Sequence, residues 1–306
     1  MNTDNSGLSV AIVVPTKNRS ITLEACLTAI SRQERPPEEV VVIDNGSSDS
    51  TQEVLRKFPH VRVLWDPAPN LPHLFNLGWK ATSSDIVGFL NDDAIAEPSW
   101  TSDLEYWFSS LPDASAIGGP TRDLNLRRLR RLLDSGSPLL KLYDIFLLNG
   151  RVADYGLLTD WGAFSVGPEP PPTPSCVDCL TITNMAVRHN TLEQLNGFDE
   201  DFQFADMDGY FFYRMKKSGL KLYSIPNAGV DHLVHPSGAT RSIYHVARDH
   251  FLMLRKLSRE EPDHRDRILL NGLATAAFYL SLSTSNPLTR IRDVCRAYLD
   301  SGKPHA

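Results

Sequence analysis

The stretch IVGFLNDDA, residues 86–94, joins an uninterrupted apolar run to two adjacent carboxylates. A short continuous apolar run is typical of a strand that is buried on both faces of a parallel sheet. Asp92 and Asp93 would repel each other at the end of such a strand. The stretch therefore predicts both a parallel sheet and a positive charge at its edge.

The sequence before this strand alternates between apolar runs and helical patterns. After residues 8–14, which Pro15 ends, apolar residues recur with helical spacing from Ser20, a plausible N-cap. The predicted strands are residues 8–14, 40–43, 61–65 and 86–90, and the predicted helices are 20–32, 48–57, 72–81 and 98–110. Such alternation predicts an α/β fold with a doubly wound, mostly parallel central sheet flanked by helices.

Polar residues follow three of these strands. Pro15 and Thr16 end the first strand, Asp44 ends the second, and Asp92 with Asp93 ends the fourth. Ligands of open α/β sheets bind beyond the carboxyl ends of the strands. We therefore expect one binding site that collects these residues.

The later sequence divides into two further stretches. Residues 121–175 read as an insertion, with a basic amphipathic pattern, RDLNLRRLRRLLD, and a proline-rich segment. Helical patterns fill residues 241–301, which predicts a helical C-terminal tail. We divide the 306 residues at 120 and 240 into three parts.

Composition excludes several classes of protein. The net charge is −6, which argues against a nucleic-acid-binding protein. No run of about 18 apolar residues is present, and the polar N-terminus does not resemble a signal peptide. With only four cysteines, the chain is expected to be cytoplasmic.

Carboxylates at two places in the sequence suggest specific chemistry. Asp92 and Asp93 suit Mn²⁺ or Mg²⁺, which in turn binds phosphates, although a capping turn is the plainer explanation. Asp44 suits a nucleotide base or ribose, and an Asx-turn in DNGSSD is the alternative.

A cluster of acidic residues lies near the end of the α/β region, at Asp199, Glu200, Asp201, Asp206 and Asp208. The last of these would open an aromatic helix, where an ionised carboxylate is favoured and can act as a general base. Helix capping explains several of the others. Two histidines, 232 and 235, follow downstream and are candidate metal ligands.

Together these motifs resemble family 2 glycosyltransferases, with their GT-A fold, and rhamnosyl- and galactosyltransferases in particular. The matching motifs occur in the expected order over most of residues 9–235, as IVVPTKNR, EVVVIDNGSSDST, DIVGFLNDDA, GFDEDF and IPNAGVDH. The resemblance implies an inverting transfer of a sugar from a UDP- or dTDP-sugar to a hydroxyl acceptor.

The resemblance also implies roles for individual residues. Asp208 would be the catalytic base, Asp93 and His232 would ligate the metal, Asp92 would hold ribose or metal-bound water, and Asp44 would contact the base. The nucleotide pocket would further include Pro15, Thr16, Asn18, Arg19 and Asn76.

Two departures from the family pattern leave assignments open. Met207 stands where the family has a glutamate before the base, so Asp206 is an alternative to Asp208. Asn91 replaces the first aspartate of a strict D-x-D motif, so the metal ligand is open between Asp92 and Asp93.

The resemblance assigns functions to the three parts of the chain. Residues 1–120 would be the Rossmann-like, nucleotide-sugar-binding half, residues 121–240 the acceptor half with the base, and residues 241–306 a helical extension. The acceptor is open among a glycan, a lipid-linked molecule and a small molecule, as are a homodimer and a peripheral contact with the inner face of the membrane. A catalytically inactive relative and a sugar-nucleotide nucleotidyltransferase are the alternative functions, although VVPTKNRS lacks the latter's glycines.

Overall fold

A computed structural model describes residues 7–68, 70–122, 138–165, 170–233, 243–281 and 287–303. The basic pattern after residue 122 and His235 lie outside these described residues. The strands are β1 (Val10–Thr16), β2 (Glu39–Asp44), β3 (Arg62–Trp65), β4 (Ile86–Leu90), β5 (Ala94–Ala96), β6 (Ala114–Gly118), β7 (Thr121–Arg122), β8 (Leu157–Leu158), β9 (Phe164–Ser165), β10 (Ser175–Val177), β11 (Asn184–Arg188), β12 (Lys221–Ser224) and β13 (Val230–His232).

Helices cover the sheet and form the end of the chain. The α-helices are α1 (Ser20–Ser31), α2 (Thr51–Arg56), α3 (Leu71–Lys80), α4 (Trp100–Ser110), α5 (Pro138–Tyr143), α6 (His189–Leu195), α7 (Met207–Lys217), α8 (Ile243–Glu260), α9 (Arg265–Ser281) and α10 (Pro287–Asp300). A π-helical turn at Asp144–Leu148 and a 3₁₀ turn at Pro262–His264 accompany them.

Eight strands form the central sheet in the order β10-β12-β6-β11-β4-β1-β2-β3. The β1, β2, β3 and β4 strands pair in parallel, as the alternating pattern predicts. However, β11 lies antiparallel between β4 and β6, and β10 lies antiparallel to β12. The prediction of a mostly parallel α/β sheet with a helical C-terminal tail is confirmed.

The centre of the sheet is packed tightly enough to dictate a glycine. Gly88 lies in the middle of β4, and a Cβ atom there would come within 2.5 Å of the indole of Trp100. Trp100, at the start of α4, is completely buried and donates from Nε1 to Asn184 Oδ1 at 2.8 Å. Gly88 therefore makes room for helix α4, which packs on the sheet through Trp100.

The first strand and helix differ slightly from their predicted limits. Pro15 belongs to β1 instead of ending it, because pairing with β4 stops at Val13 and the missing N–H of proline is not needed there. The N-cap of α1 is Arg19 and not Ser20. The backbone N–H of Ser20 instead donates to Asp49 in the loop after β2, at 3.0 Å.

A second sheet of three short strands, β5-β13-β7, lies beside Asn91-Asp92-Asp93, which we call the aspartate motif. In this sheet His232 is paired with Ala94, the residue directly after Asp93. The backbone N–H of Leu233 also donates to the carbonyl of Asp93 at 2.9 Å. Residues separated by more than a hundred positions in the sequence are thus fixed side by side.

The residues that flank the segment between β7 and β11 lie next to each other, although β10 of this segment belongs to the central sheet. The side-chain amide of Asn184 donates to the carbonyl of Pro120 at 3.1 Å. The hydroxyl groups of Thr121 and Thr181 lie 3.3 Å apart. These contacts join the start of the predicted insertion, 121–175, to residues that lie several positions beyond its predicted end.

The C-terminal helices contribute to the main hydrophobic core. Residues of α8 and α10 belong to the same buried cluster as strands β1 and β4; among them are Phe251, Met253, Leu257, Val294 and Ala297. The three predicted parts of the chain therefore share one core. Within the described residues, no helix combines the length and apolarity needed to span a bilayer.

Candidate functional site

The loops that follow β1, β2 and β3 are tied together at the carboxyl edge of the sheet. Asn18 adopts a left-handed conformation with a φ of 53°, its backbone N–H donates to Ser47 Oγ at 2.9 Å, and its side-chain oxygen accepts from the N–H of Ser48 at 2.6 Å. Lys17 donates to Asn45 Oδ1 at 3.3 Å, and the Asn45 amide donates to the carbonyl of Asp66. The polar residues that follow separate strands are therefore collected at one edge, as the sequence predicts.

Arg19 bridges Asp92 and Asp93, the two aspartates of the aspartate motif. Its Nη1 lies 2.6 Å from Asp92 Oδ1, and its Nη2 lies 2.8 Å from Asp93 Oδ2. Thr16 donates from Oγ1 to the other oxygen of Asp92 at 2.7 Å. Asp92 and Asp93 are only 3% and 2% exposed, so the guanidinium supplies the positive charge that two buried carboxylates require.

Opposing effects act on the pKa of Asp92. Burial raises the pKa of its carboxyl, and the negative charge of Asp93 acts in the same direction, while Arg19 and Thr16 oppose the rise. The net shift is upward. Additional positive charge at this edge would stabilise the ionised carboxylate.

His232 lies next to Asp93 of the aspartate motif. Its Nε2 lies 3.2 Å from Asp93 Oδ1. Two neighbouring ligands of an octahedral Mg²⁺ or Mn²⁺ lie about 3 Å apart, because each metal–ligand bond is about 2.1 Å. One imidazole nitrogen and one carboxylate oxygen are thus spaced as metal ligands are, and this donor set fits a divalent cation.

Asp208 opens helix α7 and is the second half of the candidate site. Its carboxylate accepts hydrogen bonds from the backbone N–H groups of Gly209 and Ile182, and it keeps a partly accessible surface. Burial raises its pKa to about 6, and the charge of Asp206 adds to the rise, although the N–H donors oppose it. A carboxylate with this pKa is ionised at neutral pH and can accept a proton.

The two halves of the site are connected by the segment that leads into β11. Ile182 donates its N–H to Asp208, and the next residue, Thr183, accepts at Oγ1 from the side-chain amide of Asn91 at 3.1 Å. Because β11 is antiparallel to β4, this preceding segment lies at the carboxyl end of β4. The antiparallel strand therefore places the aspartate motif and the candidate base at the same edge of the sheet.

Asp44 is buried at the end of β2. One carboxylate oxygen accepts from the N–H of Ser47, three residues on, at 2.8 Å, so Asp44 also has a local turn role of the kind that the sequence offers as an alternative. The other accepts from Nε2 of Gln52 at 2.6 Å. The turn holds the carboxylate in place, and the flexible Gln52 side chain is the contact that a nucleotide would have to displace.

Asn76 differs from its expected role in the nucleotide pocket. Its amide nitrogen donates to the carbonyl of Phe198 and to Glu200, and its oxygen accepts from the N–H of Phe198 and from Trp79 Nε1. The residue is 2% exposed, and these four bonds use its full hydrogen-bonding capacity. We therefore remove Asn76 from the nucleotide-binding set, because it fastens the loop that leads to Asp208.

The remaining acidic residues of the cluster are used in structural contacts. Lys256 on α8 lies 2.9 Å from Asp199 and 2.7 Å from Asp201. His73 lies 3.0 Å from Glu200. The sequence contained no local signal for these partners, because they come from distant elements.

A separate group of potential metal ligands lies away from this edge. Asp160, Glu261 and His264 bring one ligand atom each within 4.8 Å of one another. Lys216 lies 3.3 Å from Asp160, and Lys217 pairs with Glu261. Two cations thus already neutralise this group, and we assign no metal to it.

A model of a known protein family matches the half of the chain that contains the aspartate motif. The family model described as "Glycosyl transferase family 2" matches residues 11–167, about half of the chain. The O-antigen biosynthesis protein RfbC of Myxococcus xanthus is 25% identical over 251 residues, which are 76% of this chain and 18% of that protein. The glycosyltransferase AglE of Haloferax volcanii is 30% identical over 144 residues, 45% of this chain and 44% of that protein. The chain spans less than half the length of these curated relatives.

Solved structures share the fold. The mannosyltransferase PcManGT of Pyrobaculum calidifontis, solved in complex with GDP-Man and Mn²⁺, has a TM-score of 0.58 and 17% identity, and the match covers 99% of this chain and 77% of that one. Residues 1–349 of S. aureus TarS in complex with UDP-GlcNAc give a TM-score of 0.62 and 17% identity, with 96% and 81% of the two chains covered. At these identities the likeness concerns the fold.

Proposed function

This chain belongs to glycosyl transferase family 2, and we propose that it transfers a sugar from a nucleotide-diphosphate donor to an acceptor hydroxyl. The observation that carries the proposal is the link between the aspartate motif and Asp208 through Ile182 and Thr183. A donor bound at the aspartates and an acceptor deprotonated by Asp208 would meet at one edge of the sheet. The family and the structures solved with GDP-Man and UDP-GlcNAc support a nucleotide-sugar donor.

The donor side is proposed to use Thr16, Asn18, Arg19, Asp44 and Asp92, together with Pro15 at the end of β1. Asp44 suits the N3–H of uracil or thymine, because a carboxylate only accepts hydrogen bonds. We therefore favour a UDP- or dTDP-sugar. Arg19 is available for the diphosphate once another cation shares the two aspartates, since its planar guanidinium matches phosphate oxygens.

Asp93 and His232 are proposed as metal ligands, with Mn²⁺ or Mg²⁺ as the cation. When bound, such a cation would neutralise the negative charge of the diphosphate leaving group. The spacing of the carboxylate and imidazole supports this assignment. The Mn²⁺ of the PcManGT structure is consistent with it.

Asp208 is proposed as the general base of an inverting, single displacement. The acceptor oxygen forms a bond to the anomeric carbon while the bond between that carbon and the diphosphate oxygen breaks. The hydroxyl proton passes to Asp208, and the nucleoside diphosphate leaves with the bonding electron pair. The N–H groups of Ile182 and Gly209 fix the position of the carboxylate, which favours attack from one direction.

Thermal unfolding with nucleotides tests the donor site directly. The melting temperature is measured with UDP, dTDP, GDP and CMP, each with Mn²⁺ and with EDTA. Specific binding stabilises the folded protein by mass action, and a ligand at 100 times its Kd contributes about 2.7 kcal/mol. We expect UDP or dTDP to raise the melting temperature in Mn²⁺ but not in EDTA.

Two variants locate the binding. Asp93→Asn should abolish the Mn²⁺-dependent rise. Asp113→Asn is the matched control, because Asp113 pairs with Lys221 on the surface. A protein that responds to none of the four nucleotides would contradict an active transferase and favour the inactive relative.

A further inference from the structure

Helix α8 holds the loop that leads to Asp208. This helix lies beyond residue 167, where the match to the family model ends. Consecutive buried residues at its centre, Arg248, Asp249 and His250, all contact residues 201–206. The helix is therefore both a packing element and a direct neighbour of the catalytic loop.

Asp249 forms the central contact of this group. It is completely buried, and its Oδ2 accepts from the backbone N–H groups of Gln203, Phe204 and Ala205 at 3.1, 2.7 and 2.9 Å. Arg248 donates to the other Asp249 oxygen at 2.7 Å, and the same nitrogen donates to the carbonyl of Asp201 at 2.7 Å. Three converging N–H donors and one guanidinium are what a buried carboxylate needs. The path of the loop is consequently fixed by one side chain of α8.

His250 determines how the loop enters helix α7. Its Nδ1 lies 3.0 Å from Asp206 Oδ2, and its Nε2 lies 3.0 Å from the hydroxyl of Thr275 on α9. Asp206 precedes the first residue of α7 and has a φ of 53°, in the left-handed region that costs free energy for a residue other than glycine. Its side chain makes no capping bond to the helix and instead contacts His250. The imidazole thus stabilises a strained residue two positions before Asp208.

We propose that Asp249 and His250 are positioning residues for the carboxylate of Asp208, so that helices α8 and α9 form part of the active site. Their role is to hold residues 203–206 in the one path that points Asp208 toward Ile182 and the aspartate motif. This inference rests on the proposed function of Asp208.

The test compares variants of the full-length chain. Asp249→Asn removes the charge that the three N–H groups require, and His250→Ala removes the imidazole. His250→Asn keeps a donor near the position of Nδ1 and should restore much of the activity. Arg255→Gln is the matched control, because Arg255 on the same helix contacts Ser301 and Tyr298 and not the loop.

Three readouts separate positioning from general stability. Hydrogen–deuterium exchange of peptides covering residues 199–210 should become faster in Asp249→Asn and His250→Ala and stay unchanged in Arg255→Gln. With a sugar donor that carries the nucleotide selected by the thermal screen, kcat should fall about tenfold to a hundredfold, because small misplacements of a catalytic group have effects of this size. The KM for donor and the Kd for UDP should stay within about twofold of wild type, since the donor residues are untouched.

The outcomes are distinguishable. Unchanged exchange, or faster exchange with unchanged kcat, overturns the positioning role. A wild-type protein that binds no nucleotide overturns the proposed function, while the exchange measurement still decides whether the two residues hold the loop. If His250→Ala does not fold, Thr275→Val carries the test, because it preserves volume and removes the second partner of the imidazole. It should lower kcat about threefold or more with unchanged UDP affinity, and an unchanged kcat counts against the proposal.

Discussion

Arg19 Nη1 lies 2.6 Å from Asp92 Oδ1, so a fixed cation already stands at the carboxylate pair where the sequence leads us to expect a metal. The same guanidinium reaches Asp93 at 2.8 Å. All three side chains are largely buried. A metal bound at this edge would therefore share its carboxylates with Arg19 or displace it.

If a metal and Arg19 share Asp92 and Asp93, the variant Arg19→Gln should respond to Mn²⁺ differently from wild type. Without the guanidinium two buried carboxylates lose their counter-charge, and we expect the free energy of unfolding to fall by about 3 kcal/mol in EDTA. Mn²⁺ should then stabilise the variant more than it stabilises wild type, because the metal replaces the lost charge. Thermal unfolding with and without Mn²⁺ measures both effects.

The control for this experiment is Arg35→Gln. Arg35 also bridges two acidic residues, Glu38 and Glu105, but far from the aspartate motif. Its loss should not change the response to Mn²⁺. Equal stabilisation of wild type and Arg19→Gln by Mn²⁺ would show that the metal and Arg19 do not share the aspartates.

The acidic limb of the rate profile should report Asp208. Burial raises the pKa of its carboxyl to about 6, and the base must be ionised, so kcat should fall as the pH drops through about 6. Asp206→Asn removes the charge that adds to this rise and should move the limb to lower pH. A limb that stays in place when Asp206 is neutralised would assign it to another group.

Asp208 should also lower stability at neutral pH. Its pKa in the folded protein is raised, so the stability it contributes is present while it is protonated and is lost as the pH rises through the folded pKa of about 6. Asp208→Asn should therefore raise the melting temperature more at pH 8 than at pH 4. The same variant should lower kcat about a hundredfold or more while UDP still binds. Equal gains in melting temperature at both pH values would contradict a buried, ionised Asp208.

Asp44 should distinguish nucleotides. Asp44→Asn keeps an acceptor for the Ser47 N–H of the turn but replaces an ionised acceptor with an amide, so UDP affinity should fall about tenfold or more. Calorimetry with UDP and with CMP measures the change, and CMP, which lacks the N3–H, should bind equally to both proteins. An equal loss for both nucleotides would mean that Asp44 acts only through the turn.

Much of the fold of residues 1–120 could be predicted from local patterns. Apolar runs marked β1, β2, β3 and β4, and the polar residues after them meet at one edge because parallel strands share a direction. The strand β11 could not be assigned in this way, since nothing local tells an antiparallel strand from a parallel one. Its direction is what places Thr183 beside Asn91.

Contacts between distant elements account for the rest of the site. Asn76 reads as a polar residue of a donor motif, yet its amide is used entirely by Phe198, Glu200 and Trp79. The tail reads as an appendage, although Asp249 and His250 reach the loop before Asp208. Periodicity identifies the buried face of a helix but not the partner that each buried polar group finds.

The meeting of Pro120 with Asn184, and of Thr121 with Thr181, has a consequence for how the family can diversify. A segment whose two ends touch can change in length at little entropic cost, because loop-closure entropy grows only slowly with loop length. Changes of length within residues 122–180 would therefore leave the edge that carries Asp92 and Asp93 in place as long as β10 keeps its position in the central sheet. Exchanging such stretches between relatives, with the donor residues unchanged, would test whether this segment sets the acceptor, as the resemblance implies.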